Sequence, residues 1–185
     1  MSPSRFFKSL VYPFLPSLSV RWHEKRRKGL AYRYSPKGVL ECQQEQDRLF
    51  WCYFLKPEKN GRFLEVGGDG VVGSQTLGLE LKHGWKGEIF QPQETARGRA
   101  TRARNCPVLG SEEGCPYDGG IDLLAIHRPS EFPEVWKELS EGRLKSRWVV
   151  VENREADPNW ARMLDRFGYK LQFFFHDDEY YELKT

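Results

Sequence analysis

A chain of 185 residues, 39% hydrophobic and 14% aromatic, has enough apolar surface for one self-sufficient core, which excludes a disordered chain. No run approaches the ~18 uncharged apolar residues that a membrane span needs. The four cysteines form no CxxC pair, so metal ligation has no support and reduced thiols in a cytoplasmic protein are the expectation.

The net charge of +3 conceals an asymmetry. Residues 1–38 carry nine Lys/Arg against Glu24 alone, whereas the remainder holds 20 basic and 25 acidic residues. The chain therefore divides into a basic, apolar N-terminal arm (1–38) and an acidic domain (39–185). Pro13 and Pro16 interrupt the apolar part of the arm, so it is not one long helix, and it lacks the cleavage site of a secretory signal. Two readings stand for it. Either Phe6, Phe7, Leu10, Tyr12 and Phe14 pack on the domain, or they join the Arg21–Lys28 cluster in a peripheral contact with the inner face of a membrane. Nucleic acid is the least supported partner, because no recognition module surrounds the basic cluster.

From Val39 the pattern is helical, with Leu49, Phe50, Tyr53 and Phe54 on one face and Pro57 at the end. "RFLEVG" follows as a strand, then a glycine turn at 67–73, a helix with Leu77 and Leu81 on one face, and strand "KGEIFQ". The basic helix "ETARGRATRARN" has Ala96, Ala100 and Ala103 as its small face. After a Gly/Pro/Cys loop come strand "IDLLAIH" and a helix whose stripe is Phe132, Val135, Trp136 and Leu139. Strand "RWVVVE" leads to a helix capped by Asp157, started by Pro158 and closed by Gly168. "YKLQFFF" and "YYELK" form a hairpin, with "HDDE" as its solvated turn. Strands alternating with helices of this length predict an α/β fold, mostly parallel, with about five or six strands and a C-terminal antiparallel hairpin.

The segment "GDGVVG" satisfies G-x-G-x-x-G, a turn that brings backbone close to a nucleotide; such sites want an acid about 20 residues further on. The wider string "FLEVGGDG" fits an S-adenosylmethionine (SAM) site better. There an acid near the end of the first strand precedes the glycine turn, and an acid ending the second strand accepts both ribose hydroxyls. Position 91 is where that second acid belongs, and it is a glutamine. Gln91 retains hydrogen bonds but not charge-assisted ones, which predicts weakened binding.

The stretch "QDRLFWCYF…GRFLEVGGDGVVGSQTLGLELKHGWKGEIFQPQ" resembles the FkbM family of SAM-dependent methyltransferases, whose motifs read V-D/E-I-G-A-N-D-G, S-x-T-L-x-L-E, G-W-x-G and E-P. The likeness runs over roughly residues 44–183 and is specific only in this block. It implies a reduced Rossmann-like methyltransferase fold with SAM as cofactor and a hydroxyl of a sugar or other small metabolite as methyl acceptor. Carried onto this chain, it makes Glu65, Gly67, Gly68, Asp69, Gly70, Ser74 and Gln91 the cofactor residues. The family's K-I-D-x-E-G falls on Ala125-Ile126-His127-Arg128-Pro129-Ser130, so His127, with a reference pKa near neutrality, becomes the candidate base. The chain between Asn105 and Ile121 is too short for the usual third strand and its helix. Where the polar site residues are replaced, the alternative is a catalytically inactive relative that binds a partner or a membrane surface.

Overall fold

The computed structural model describes residues 60–68, 70, 71, 74–113, 120–175 and 177–184. The readings made for the arm, for the helix after Val39, for Asp69 and for His176 lie outside the described residues. In chain order the elements are β1 (Arg62–Val66), α1 (Leu77–His83), β2 (Lys86–Phe90), α2 (Glu94–Ala103), β3 (Val108–Leu109), β4 (Gly120–Ile126), α3 (Pro133–Ser140), β5 (Lys145–Glu152), α4 (Pro158–Arg166), β6 (Tyr169–Phe175) and β7 (Asp178–Leu183).

They build one seven-stranded sheet of order β3-β2-β1-β4-β5-β7-β6. Pairing is parallel from β3 through β5, and antiparallel where β7 meets β5 and β6. The α/β architecture with its C-terminal hairpin is as the alternation predicts. The strand count is not, because a third strand exists after all. Val108 and Leu109 suffice for it: Ile89 donates its N–H to Pro107 O at 3.0 Å and Gln91 to Leu109 O at 2.8 Å. Two residues thus satisfy the outward amides at the end of β2, which is what an edge strand must do.

Alternation along the strands sends side chains to two cores. Phe63, Leu123, Trp148, Val150, Phe173 and Tyr180 gather on one face with Leu79 and Trp85. Leu64, Val66, Leu124, Ile126, Val149 and Val151 gather on the other. The predicted stripe of α3 lies there, and burying Val135, Trp136 and Leu139 stabilises the domain by about 1.5–3 kcal/mol each. Helix α4 starts as its sequence says. The Asp157 carboxylate accepts the Asn159 N–H at 2.9 Å, Pro158 occupies the first turn, and Gly168 leaves the helix at φ +92°.

The hairpin turn is tighter than expected. β6 ends at Phe175 and β7 begins at Asp178, so Asp178 is a strand residue paired with Glu152 and 2% exposed. "HDDE" is therefore not a solvated turn throughout: continuation of the ladder draws its second half into the sheet.

Candidate active site

Strands β1, β2, β4 and β5 end level with one another. Val66 pairs with Phe90 and Ile126, and Ile126 with Val151. The next residues extend the ladder, with Gly67 N–H donating to Phe90 O and His127 N–H to Val66 O, both at 2.9 Å. Gln91, Gly67, His127 and Glu152 consequently stand in a row along the C-terminal edge of the parallel strands, with Asp178 beside Glu152. Chain order reverses between β1 and β4, and an open α/β sheet binds ligands outside its strand ends at such a switch. Gly67 and Gln91 share this edge, as the sequence demands.

Glu65 lies at the foot of the glycine turn with no solvent exposure. Ser74 Oγ donates to its carboxylate at 2.7 Å, Thr76 Oγ1 donates to it as well, and Arg104 Nη1 lies 3.5 Å away. Burial pushes the Glu65 pKa upward, but His127 and Arg104 outweigh it and hold the carboxyl at about 2. Ser74 belongs to the same brace. Its oxygen also accepts the amides of Thr76 and Leu77 at 3.2 and 3.1 Å, so it serves the start of α1.

His127 is clamped between two carboxylates. Nε2 is 3.2 Å from Glu65 Oε1 and Nδ1 is 3.3 Å from Glu152 Oε2. Burial alone would discharge the ring, yet the bonds to Glu152 and Glu65 raise its pKa to about 10. Both ring nitrogens then carry protons and donate. An imidazolium is the form opposite to a general base, which must arrive unprotonated. In the same cluster, burial pushes Asp178 up to about 7, and Gln75 Nε2 donates to it at 2.7 Å.

Gly67, Gly68 and Gly70 all have φ near +70°, a region that penalises any side chain. A Cβ on Gly67 would come within 2.7 Å of the Phe132 ring, on Gly68 within 3.0 Å of the His127 ring, and on Gly70 within 2.8 Å of Ala100 Cβ. Close approach by the protein itself therefore accounts for these glycines. The Gln91 side chain, 2% exposed, donates from Nε2 to Gly68 O, and its Oε1 accepts the Gln93 N–H at 2.9 Å.

A cleft of about 270 Å³ opens beside the row, between the segments that follow β4 and β5. Arg128, Glu152, Asn153, Asp157 and Trp160 line it, and the Trp160 indole stacks on Trp136 with ring centroids 4.9 Å apart. Sequence reasoning missed Arg104, Glu152, Asn153 and Asp178. For Glu152 a signal existed, since it ends a strand of the same parallel set. Arg104 was indistinguishable from the other arginines of its helix. Among the described residues no group of His, Cys, Asp and Glu is arranged to hold a metal ion, and no helix is long and apolar enough to cross a membrane.

No family model matches the sequence, and neither does any curated protein. Solved structures do match. A methyltransferase from Pyrococcus furiosus aligns over 72% of this chain and 77% of its own at 17% identity, with a TM-score of 0.52. A TehB-like SAM-dependent methyltransferase from Corynebacterium glutamicum aligns over 90% and 99% at 12% identity and a TM-score of 0.54. A precorrin-6y C5,15-methyltransferase from Geobacter metallireducens aligns over 81% and 93% at 15% identity and a TM-score of 0.56. The fold is that of the Rossmann-like methyltransferases.

Proposed function

We propose that this chain is a SAM-dependent methyltransferase of the FkbM-like type, acting on a hydroxyl of a sugar or other small metabolite. The observation that carries this reading is the placement of the left-handed glycine turn at the β1–β4 switch, level with a cleft large enough for a small acceptor. Bound there, SAM would supply an electrophilic methyl group on a sulfonium. The backbone of Gly67 and Gly68, with Asp69, would hold it. Glu65, Ser74 and Arg104 would act from beneath, by fixing the turn.

The residues divide the remaining work. Trp160 offers the cleft an apolar wall, while Arg128 orients a polar acceptor and Asn153 holds the segment after β5 in place. His127 serves as a fixed cation that aligns Glu65 and Glu152. Methyl transfer to oxygen requires a destination for the hydroxyl proton, and a group titrating near the working pH is suited to receive it. In this cluster Glu152 is the carboxylate that lines the cleft, whereas Asp178, raised to about 7, is 2% exposed and acts on the proton only through its neighbours.

The test is calorimetric titration of the full chain with SAM, followed by transfer of radiolabelled methyl to a panel of sugars and hydroxylated metabolites. Saturable SAM binding and label in one acceptor class support the reading. No binding below about 1 mM, a free energy near −4 kcal/mol, overturns it.

A further inference from the structure

The half-buried Trp160 indole belongs to two environments. One side stacks on Trp136, with ring centroids 4.9 Å apart and planes 17° from parallel, and packs against the core beneath α3. The side turned away from Trp136 borders the cleft. Both rings are held in place. Trp136 is 6% exposed, and its Nε1 donates to Pro129 O at 2.8 Å, which fixes it to the segment after β4. Trp160 stands in the first turn of α4, where the Asp157 cap and the Asn153 bond to Asp157 O at 3.1 Å set the backbone.

Stacked aromatic pairs gain about 0.5–1.5 kcal/mol beyond their area burial, and a surface that is rigid before binding spends little entropy on its ligand. A planar aromatic ring would extend the Trp136–Trp160 stack by one layer. The cleft volume of about 270 Å³ sits at the lower limit of small-molecule sites, ~300 Å³. One ring is therefore accommodated and a macrocycle is not.

The cleft also dictates how acidic the reacting hydroxyl must be. Glu152 is its strand-end carboxylate, with Oε2 3.3 Å from His127 Nδ1 and Oε1 accepting Arg154 Nε at 2.8 Å. The bond to His127, helped by Arg154, outweighs burial and holds the carboxyl at about 2. Such a weak base takes a proton only from an acidic donor. A phenolic hydroxyl, at about 10, lies roughly six units closer to Glu152 than an aliphatic one, taken near the ~15.7 of water.

Resting on the methyltransferase reading above, we infer that the methyl acceptor is a single-ring phenol, its ring stacked on Trp160 and its hydroxyl turned to Glu152. The phenolic oxygen bonds the methyl carbon as the carbon–sulfur bond breaks, with that bond's electron pair staying on sulfur. The proton passes to Glu152 and on to solvent, and the products are a methyl aryl ether and S-adenosylhomocysteine.

The experiment is ligand-observed NMR on the full chain with phenol and two non-aromatic probes, cyclohexanol and methyl glucoside. Phenol is expected to bind about two- to tenfold tighter than cyclohexanol from stacking alone. Either non-aromatic probe binding as tightly as phenol overturns the inference and leaves the methyltransferase reading intact. Failure of SAM to bind in calorimetry overturns that reading, and with it the acceptor role, whatever the phenol titration shows. With radiolabelled SAM, label should enter phenol and not cyclohexanol; comparable transfer to both would refute the demand for an acidic hydroxyl. Trp160→Leu adds a readout that a merely structural role would not move. Its phenol affinity should fall about two- to tenfold with cyclohexanol affinity unchanged, and equal losses for both would refute the stack. If that variant does not fold, the wild-type comparison still decides.

Discussion

Arg104 and Glu65 meet 3.5 Å apart with neither side chain touching solvent. The guanidinium also donates to Gly70 O at 2.8 Å, Ser74 Oγ at 3.0 Å and Thr76 Oγ1 at 2.7 Å. It reaches Glu80, and its carbon sits 5.5 Å from the Phe63 ring centroid. One side chain thus ties β1, the glycine turn and α1 to the end of α2, using the rigid fork of donors that only arginine has.

Removing it leaves a buried carboxylate and several oxygens without their donor. Arg104→Met is expected to lower stability by about 3–5 kcal/mol, read from urea unfolding. Adding Glu65→Gln should cost less than it does alone, with a coupling of about 0.5–3 kcal/mol. Strictly additive losses would mean that the two groups do not stabilise each other.

The pH dependence follows from three buried groups. His127 titrates at about 10 against 6.5 for a free ring, so its contribution is complete below pH 6.5 and lost as pH rises through 10. Asp178 is raised from 3.8 to about 7; its contribution is complete below 3.8 and gone above 7. Glu65 is lowered from 4.5 to about 2, so its contribution is present above 4.5 and lost as pH falls towards 2. A tenfold change in proton affinity between the folded and unfolded chain is worth about 1.4 kcal/mol. Thermal unfolding across pH 3–10 should show a marked decline from 4 to 7 that Asp178→Asn removes. His127→Gln should flatten the alkaline limb. A wild-type curve level from 4 to 7 would contradict the assignment to Asp178.

Gly70 tests whether the turn is shaped by packing. An alanine there would meet Ala100 Cβ at 2.8 Å and Ile89 Cδ1 at 3.1 Å, at φ +69°. Overpacking and left-handed strain together should cost about 2–4 kcal/mol. Ala100→Gly in the same chain removes the closer contact but not the strain, so partial recovery is expected in denaturant melts. Full recovery would assign the whole penalty to the clash.

Elements with strong local signals were legible. The α3 stripe, the Asp157–Pro158 start of α4 and the level placement of Gly67 and Gln91 all follow from periodicity, caps and strand ends. What was not legible depends on partners distant in sequence. The role of His127 turns on Glu65 and Glu152, which lie 62 and 25 residues away, and no property of "AIHRP" reveals two carboxylates converging on it. Asp178 was misplaced because a run of polar residues reads as a turn, while the pairing with β5 that buries it is invisible locally. The contacts of Phe132, His127 and Ala100 with the turn glycines were hidden for the same reason, since each partner lies far along the chain.

Asn153 joins the cleft to the hairpin, and its chemistry permits a sharp test. Nδ2 donates to Glu179 Oε1 at 3.0 Å and to Asp157 O at 3.1 Å, while Oδ1 accepts the Asp157 N–H at 2.9 Å. Its backbone N–H bonds to Asp177 O at 2.6 Å. Asn153→Asp keeps the acceptor, forfeits both donors and sets a carboxylate against that of Glu179. Asn153→Ala loses both donated bonds and the accepted one as well, without adding charge. At neutral pH the aspartate variant should be the less stable of the two, by about 1–3 kcal/mol, since like charges and an unpaired buried group add to the lost hydrogen bonds. Near pH 3 protonation restores a donor and the order should reverse. Hydrogen exchange at residues 154–157 should accelerate in both, because the segment that walls the cleft has lost its tether. Equal stability of the two variants at neutral pH would show that the Glu179 carboxylate does not face position 153.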